Sequence, residues 1–157
     1  MNNYTIKDLS ESKDRYKLFA FISDNEQAEK LNYIESLGLT TINIGKEVAI
    51  YINSLSNYKY LSIDVYDFVK NHLEEKKCKI DKIGNEVVAI YNLGILLEPL
   101  LELKVTQLLK EISKSIALLI IWENNLITET KLCWPNQNNQ VYIDFSDTSL
   151  LKLIHAI

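Results

Sequence analysis

Short runs of apolar residues alternate with polar turns along the chain, and the spacing inside each run points to an element. Residues 16–23 (YKLFAFIS) are nearly continuous in apolar and aromatic side chains, the mark of a strand buried on both faces. Residues 26–37 carry Ala28, Leu31 and Ile34 at three-residue spacing with Gly38 just beyond, which predicts a helix and its glycine C-cap. A β-branched stretch at 40–44 predicts a second strand. Val48, Ile52 and Leu55 on one face predict a helix over 47–55. A short extended piece is expected at 60–63, then a helix with Asp64 as N-cap running through Val65, Phe68, Val69 and Leu73. Strand and helix in succession predict parallel pairing through crossovers.

In the second half, residues 86–91 (EVVAIY) read as a central strand. A loop and a long amphipathic helix opened by Pro99 or its neighbours follow, then another central strand in IALLIIWEN. Beyond this the pattern changes: residues 126–134 and 140–145, joined by the turn-rich PNQNN, predict an antiparallel hairpin. The tail, 146–157, reads as a short helix that is apolar over more than one narrow stripe. Leu150, Leu153, Ile154 and Ile157 are therefore a candidate interface for a second copy or a partner subunit. The expected fold class is α/β, with a mainly parallel sheet, helices on both faces, a C-terminal β-hairpin and a short helix.

At 157 residues the chain fits one domain, 1–157, with no linker at which to divide it. The longest apolar run, 116–122, is too short to cross a bilayer and the start lacks a basic then apolar leader, so a cytoplasmic protein without membrane association is expected. Cys78 and Cys133 lack ligand-spaced neighbours and are read as reduced thiols, with no metal expected. Net charge is -4 and Arg15 is the only arginine, which argues against direct nucleic-acid binding. The basic cluster Lys76, Lys77, Lys79 and Lys82 is read as a solvated helix end.

Candidate chemistry is sparse. Gly38, Gly45, Gly84 and Gly94 are isolated, so no glycine-rich loop can wrap a pyrophosphate. Gly45-Lys46 follows the second strand, and Glu47 stands where a magnesium-holding Ser or Thr would be. His72 and His155 lack a nucleophile at triad-like spacing. Glu129-Thr130-Lys131 has the Glu-x-Lys form of metal-dependent nucleases, although an alternating solvent face explains it as well.

The stretch EVVAIYNLGILLEPLLELKVTQLLKEISKSIALLIIWENN, followed by TKLCWPNQNNQVYIDF, resembles the small P-loop proteins of type 3 bacteriophage exclusion (BREX) systems, the BrxF family. INIGKEVAIYINSL is a weaker match nearer the front. The resemblance covers about two thirds of the chain and implies a P-loop NTPase-like domain working with other defence-system proteins. At the nucleotide positions the chain departs from that family. Ser23, Asp24 and the residues through Lys30 replace the Walker A loop. Tyr91 stands for the Walker B acid, with only Asn92 matching, and Gly94 falls on the expected glutamate. Asn124 corresponds to a polar sensor position. The resemblance thus implies a non-catalytic protein-binding subunit of an anti-phage complex, with no cofactor. The alternatives are a divergent NTPase or metal-dependent nuclease, or an unrelated protein of a mobile element.

Overall fold

The computed structural model describes residues 4–123, 127, 130–134, 141–145 and 152–155. The parallel strands β1 (Leu18–Ile22), β2 (Thr41–Asn43), β4 (Glu86–Tyr91), β5 (Ala117–Ile121) and β8 (Lys152–His155) lie in the order β2-β4-β5-β1-β8. A short antiparallel strand, β3 (Cys78–Lys79), pairs with the start of β4. The helices are α1 (Ile6–Glu11), α2 (Gln27–Ser36), α3 (Ile44–Ser54), α4 (Leu61–Lys76) and α5 (Val105–Ser115).

Because side chains alternate across a strand, each strand feeds two cores. Leu18, Ala20 and Ile22 of β1, with Val88, Ile90, Leu118 and Ile120, pack with Val48 of α3, Val69 and Leu73 of α4 and Leu108 of α5. Phe19 and Phe21, with Val87, Ala89, Leu119 and Ile121, pack on the other face with Leu9 of α1 and Ile34 of α2. The mainly parallel sheet with helices on both faces is the expected one, and β4 and β5 are central, in keeping with their nearly continuous apolar sequences. On α5, Val105, Leu108, Leu109 and Ile112 are buried on a single stripe, each side chain contributing about 1.5–3 kcal/mol of transfer free energy.

The hairpin is also present: β6 (Lys131–Cys133) and β7 (Tyr142–Asp144) pair antiparallel, with Leu132 opposite Ile143. It forms a separate two-stranded sheet held to the body through buried Leu132, Ile143 and Phe145. Thr106 Oγ1 donates to the Asp144 carbonyl at 2.9 Å, and the Trp134 ring meets that of Trp122 edge-on at 4.8 Å.

Four local expectations are corrected. Residues 152–155 of the tail are a strand, not part of a helix, because β1 offers them an unpaired parallel edge: Phe19 aligns with Lys152 and Ile22 with His155. Residues 61–63 belong to α4, whose N-cap is Tyr60 rather than Asp64. Pro99 opens a 3-10 turn, Pro99–Leu101, and the helix proper starts at Val105. The six-residue α1 was not expected. The loop before β4 grips its end, where Asn85 Nδ2 donates to the carbonyls of Leu9 at 3.1 Å and Ser12 at 2.7 Å. Gly84 makes this approach possible, since its φ is +126° and a side chain there would strike Ser10.

Candidate functional site at the carboxyl ends of the strands

The chain leaving β1 runs to β2 at one edge of the sheet, while the chain leaving β5 reaches β8 at the other. The carboxyl ends of the adjacent pair β1 and β5 are therefore the topological switch point, where parallel sheets place a ligand crevice. Ser23 follows β1 there, and the loop to Glu26 opens α2. A phosphate loop needs its amides free to point at the anion. Here the Asn25 N–H donates to Ser23 Oγ at 3.0 Å, a local turn that occupies both groups. The N-cap, Glu26, makes no side-chain cap, and Asp24 and Glu29 add carboxylates to the same approach.

Lys30 is 2% exposed and its Nζ donates to the Trp122 carbonyl at 2.7 Å, crossing from α2 to the end of β5. The ammonium thus ties α2 to the end of β5 from inside. Burial pushes its pKa below the ordinary lysine value, and the smaller pulls of Glu123 and Asp24 work against that shift. Both polar atoms of the Gln27 side chain, in the first turn of α2, are out of solvent and have no partner among the described residues.

At the end of β4, Tyr91 is half-buried against the α1 and α2 face. Asn92 sits in the left-handed region at φ 60° and its Nδ2 donates to Asn43 Oδ1 at 2.8 Å. The same oxygen accepts from the Lys46 N–H at 3.0 Å and so caps α3. A Cβ at Gly45 would collide with the Asn92 amide, which is why the first turn of α3 has glycine there. Gly45-Lys46 is a helix start, as its surroundings in the sequence suggested.

The structure brings Ser23, Asp24 and Lys30 together at the switch point, and sets Tyr91 and Asn92 on the same rim at the end of β4. Asn124, Leu150 and Ile157 lie outside the described residues, as does Glu129 of the Glu-x-Lys triplet. Lys131 of that triplet holds its Nζ 4.5 Å from the Tyr142 ring centre. Leu153 and Ile154 pack against the chain's own two cores, Ile154 fully buried. A hollow of about 440 Å³ opens between α2 and β8, with Phe21, Ser23, Lys30, Tyr33, Ile154 and His155 on its wall. His72 stacks on Phe68 at 5.2 Å and stands 3.9 Å from Glu47, a helix-surface contact remote from the switch point.

No family model, curated protein or solved structure matches this chain. Among the described residues no three His, Cys, Asp or Glu side chains gather as a metal site, and no helix is long and apolar enough to cross a membrane. The sequence reading missed the bond from Lys30 to Trp122. Its one signal was a lysine in the otherwise acidic first turns of α2, a position whose inward direction depends on where the helix docks.

Proposed function

We propose that this chain is a non-catalytic, P-loop-like subunit that binds other proteins in a prokaryotic anti-phage complex of the BREX type. The observation that carries the non-catalytic part is the Lys30 to Trp122 bond. It uses the one lysine of the Ser23 to Lys30 segment as an internal strut across the crevice that a nucleotide would need. Asn25 turned onto Ser23 and Asn92 onto Asn43 commit these rim groups to the protein itself rather than to an amide cradle for a phosphate.

The protein-binding part is supported by the resemblance of residues 86–145 to the BrxF family. It is further supported by exposed apolar side chains away from the rim: Leu100 is 87% exposed and Ile63 61%, and both line a hollow of about 290 Å³ with Tyr58 and Tyr60. Two measurements test the reading. Calorimetric titration with ATP and magnesium should give no affinity tighter than about millimolar. The tagged chain, co-expressed with the proteins encoded beside it, should retain at least one of them through gel filtration. A micromolar ATP complex would restore the NTPase reading. Failure to retain any co-expressed neighbour would overturn the subunit reading.

A further inference from the structure

At the opposite, amino-terminal end of the parallel strands, residues far apart in sequence converge on one ring. The Arg15 guanidinium lies 5.3 Å from the centre of the Tyr16 ring, Lys110 Nζ 5.2 Å and Lys114 Nζ 6.0 Å. Lys17 Nζ joins them by donating to the Lys114 carbonyl at 3.2 Å, at the end of α5. Tyr16 is half-buried, so its ring is a fixed post, while Arg15 and Lys114 are exposed. Of the carboxylates here, Glu111 is bonded to Lys114 at 2.9 Å and Asp14 is paired with Lys152. The pKa of Glu111 is held down first by its bond to Lys114 and then by the charges of Lys114, Lys70 and Arg15. Arg15, Lys110 and Lys114 thus gather on one ring, with Glu111 paired to Lys114 and Asp14 to Lys152, in a protein whose net charge is -4 and whose only arginine is Arg15.

We infer that this cluster is the docking point for a short acidic segment of a partner protein. The inference rests on the protein-binding reading above and adds the partner's chemistry. Complementarity of charge selects the occupant. Three cations lie within 6.0 Å of a single centre, a focus matched by two or three neighbouring carboxylates. A nucleic-acid strand needs a track of contacts along its backbone. A track leaving this cluster would meet Asp14, whose carboxylate is paired with Lys152, and Glu11 beyond it, and the net negative charge of the chain opposes a long polyanion. The planar Arg15 fork supplies bidentate carboxylate geometry, and the lysines supply charge without fixed direction.

The test uses a fluorescein-labelled hexaglutamate peptide and a labelled 20-nucleotide oligo-dT as probes, followed by anisotropy at low salt. Two charge-reversed proteins are compared, Arg15→Glu/Lys114→Glu and Lys76→Glu/Lys79→Glu, which change net charge equally at exposed sites. Arg15→Gln/Lys114→Gln repeats the first without introducing new acid. The peptide should bind saturably, should weaken as salt rises, and should lose about tenfold or more in affinity in both cluster variants while the Lys76/Lys79 control loses at most about twofold. Absence of peptide binding, equal loss in cluster variants and control, or tighter binding of the oligonucleotide than of the peptide would each overturn the inference. A cluster variant that still retains its co-expressed neighbour at full affinity also overturns it, and leaves the broader subunit reading standing.

Discussion

Asn92 and Asn43 are joined through their side-chain amides at 2.8 Å, tying the end of β4 to the end of β2 directly above Gly45. This contact makes Gly45→Ala a specific probe. The new methyl would push the Asn92 amide away and break the bond to Asn43, at a cost of about 1–2 kcal/mol despite the better helix propensity of alanine. In an Asn92→Gly background, where the left-handed backbone suits glycine and only the carbonyl oxygen of residue 92 remains close, at 3.1 Å, Gly45→Ala should cost clearly less than in the wild type. Urea unfolding of the four proteins measures the coupling. Additive effects would mean that the two positions do not touch.

Lys30 gives a prediction in pH. Its folded-state pKa lies below the ordinary 10.5. The unfolded chain therefore binds more protons through that interval, and the stability lost to the buried charge is recovered as pH rises toward 10.5. Lys30→Met removes the titrating group and keeps the buried stem. Thermal melts at several pH values between 7 and 10.5 should show the wild type gaining on Lys30→Met as pH increases. The other titrating groups are shared by both proteins and cancel in the difference. A difference that does not change with pH would contradict the buried, charged state of Lys30.

Gln27 should be improvable. Its amide is out of solvent with neither atom bonded among the described residues, so Gln27→Met exchanges an unsatisfied polar group for an apolar one of similar length. We expect a gain of about 1–2 kcal/mol in chemical denaturation. A loss of stability would show that the amide has a partner in solution.

Lys152 is 3% exposed, with its ammonium paired to Asp14 and bonded to the Tyr16 carbonyl at 3.2 Å. Asp14→Ala leaves the buried ammonium without its counter-charge and should cost about 1–3 kcal/mol. Lys152→Met, which keeps the stem and removes the charge, should stay within about 1 kcal/mol of wild type. Equal losses in the two variants, by urea midpoint, would argue that the pair is a net source of stability.

The chain has two tryptophans, and their edge-on contact anchors the hairpin. Trp134→Ala should lower stability by about 2–4 kcal/mol and leave Trp122 as the sole indole reporter, its emission shifted to the red as the hairpin loosens. Unchanged emission would mean that the hairpin is held by Leu132, Ile143 and Phe145 alone.

The strands that are buried on both faces could be read directly, because LFAFI, the VVAI within EVVAIY, and ALLII have no polar position to place at a surface. The tail could not. Leu150, Leu151, Leu153, Ile154 and Ile157 satisfy a greasy helix and a buried strand equally, and only the open edge of β1 decides that Lys152–His155 extend. Asp64 misled because an acidic residue favours any position in a helix's first turn, and α4 begins one turn earlier. At the rim, the isolated glycines already spoke against a glycine-rich phosphate loop, whereas the inward course of Lys30 depends on helix docking. The Tyr16 cluster was hidden for the same reason, since residues 15–17 and 110–114 meet only after the sheet is assembled.

The position of β1 has a consequence for how the protein is made. As a nascent chain emerges, LFAFI comes out early, yet both of its neighbours, β5 and β8, are translated much later, the bond from Lys152 to Tyr16 spanning 136 residues. Until they arrive two apolar strand edges stand bare, the arrangement that invites pairing with the wrong chain. The sheet around β1 therefore closes only through contacts of long sequence separation, which slow folding. The inward charge of Lys152 helps here, because it admits β8 only where Asp14 and the Tyr16 carbonyl await it, and so makes this late strand also the one that checks the register.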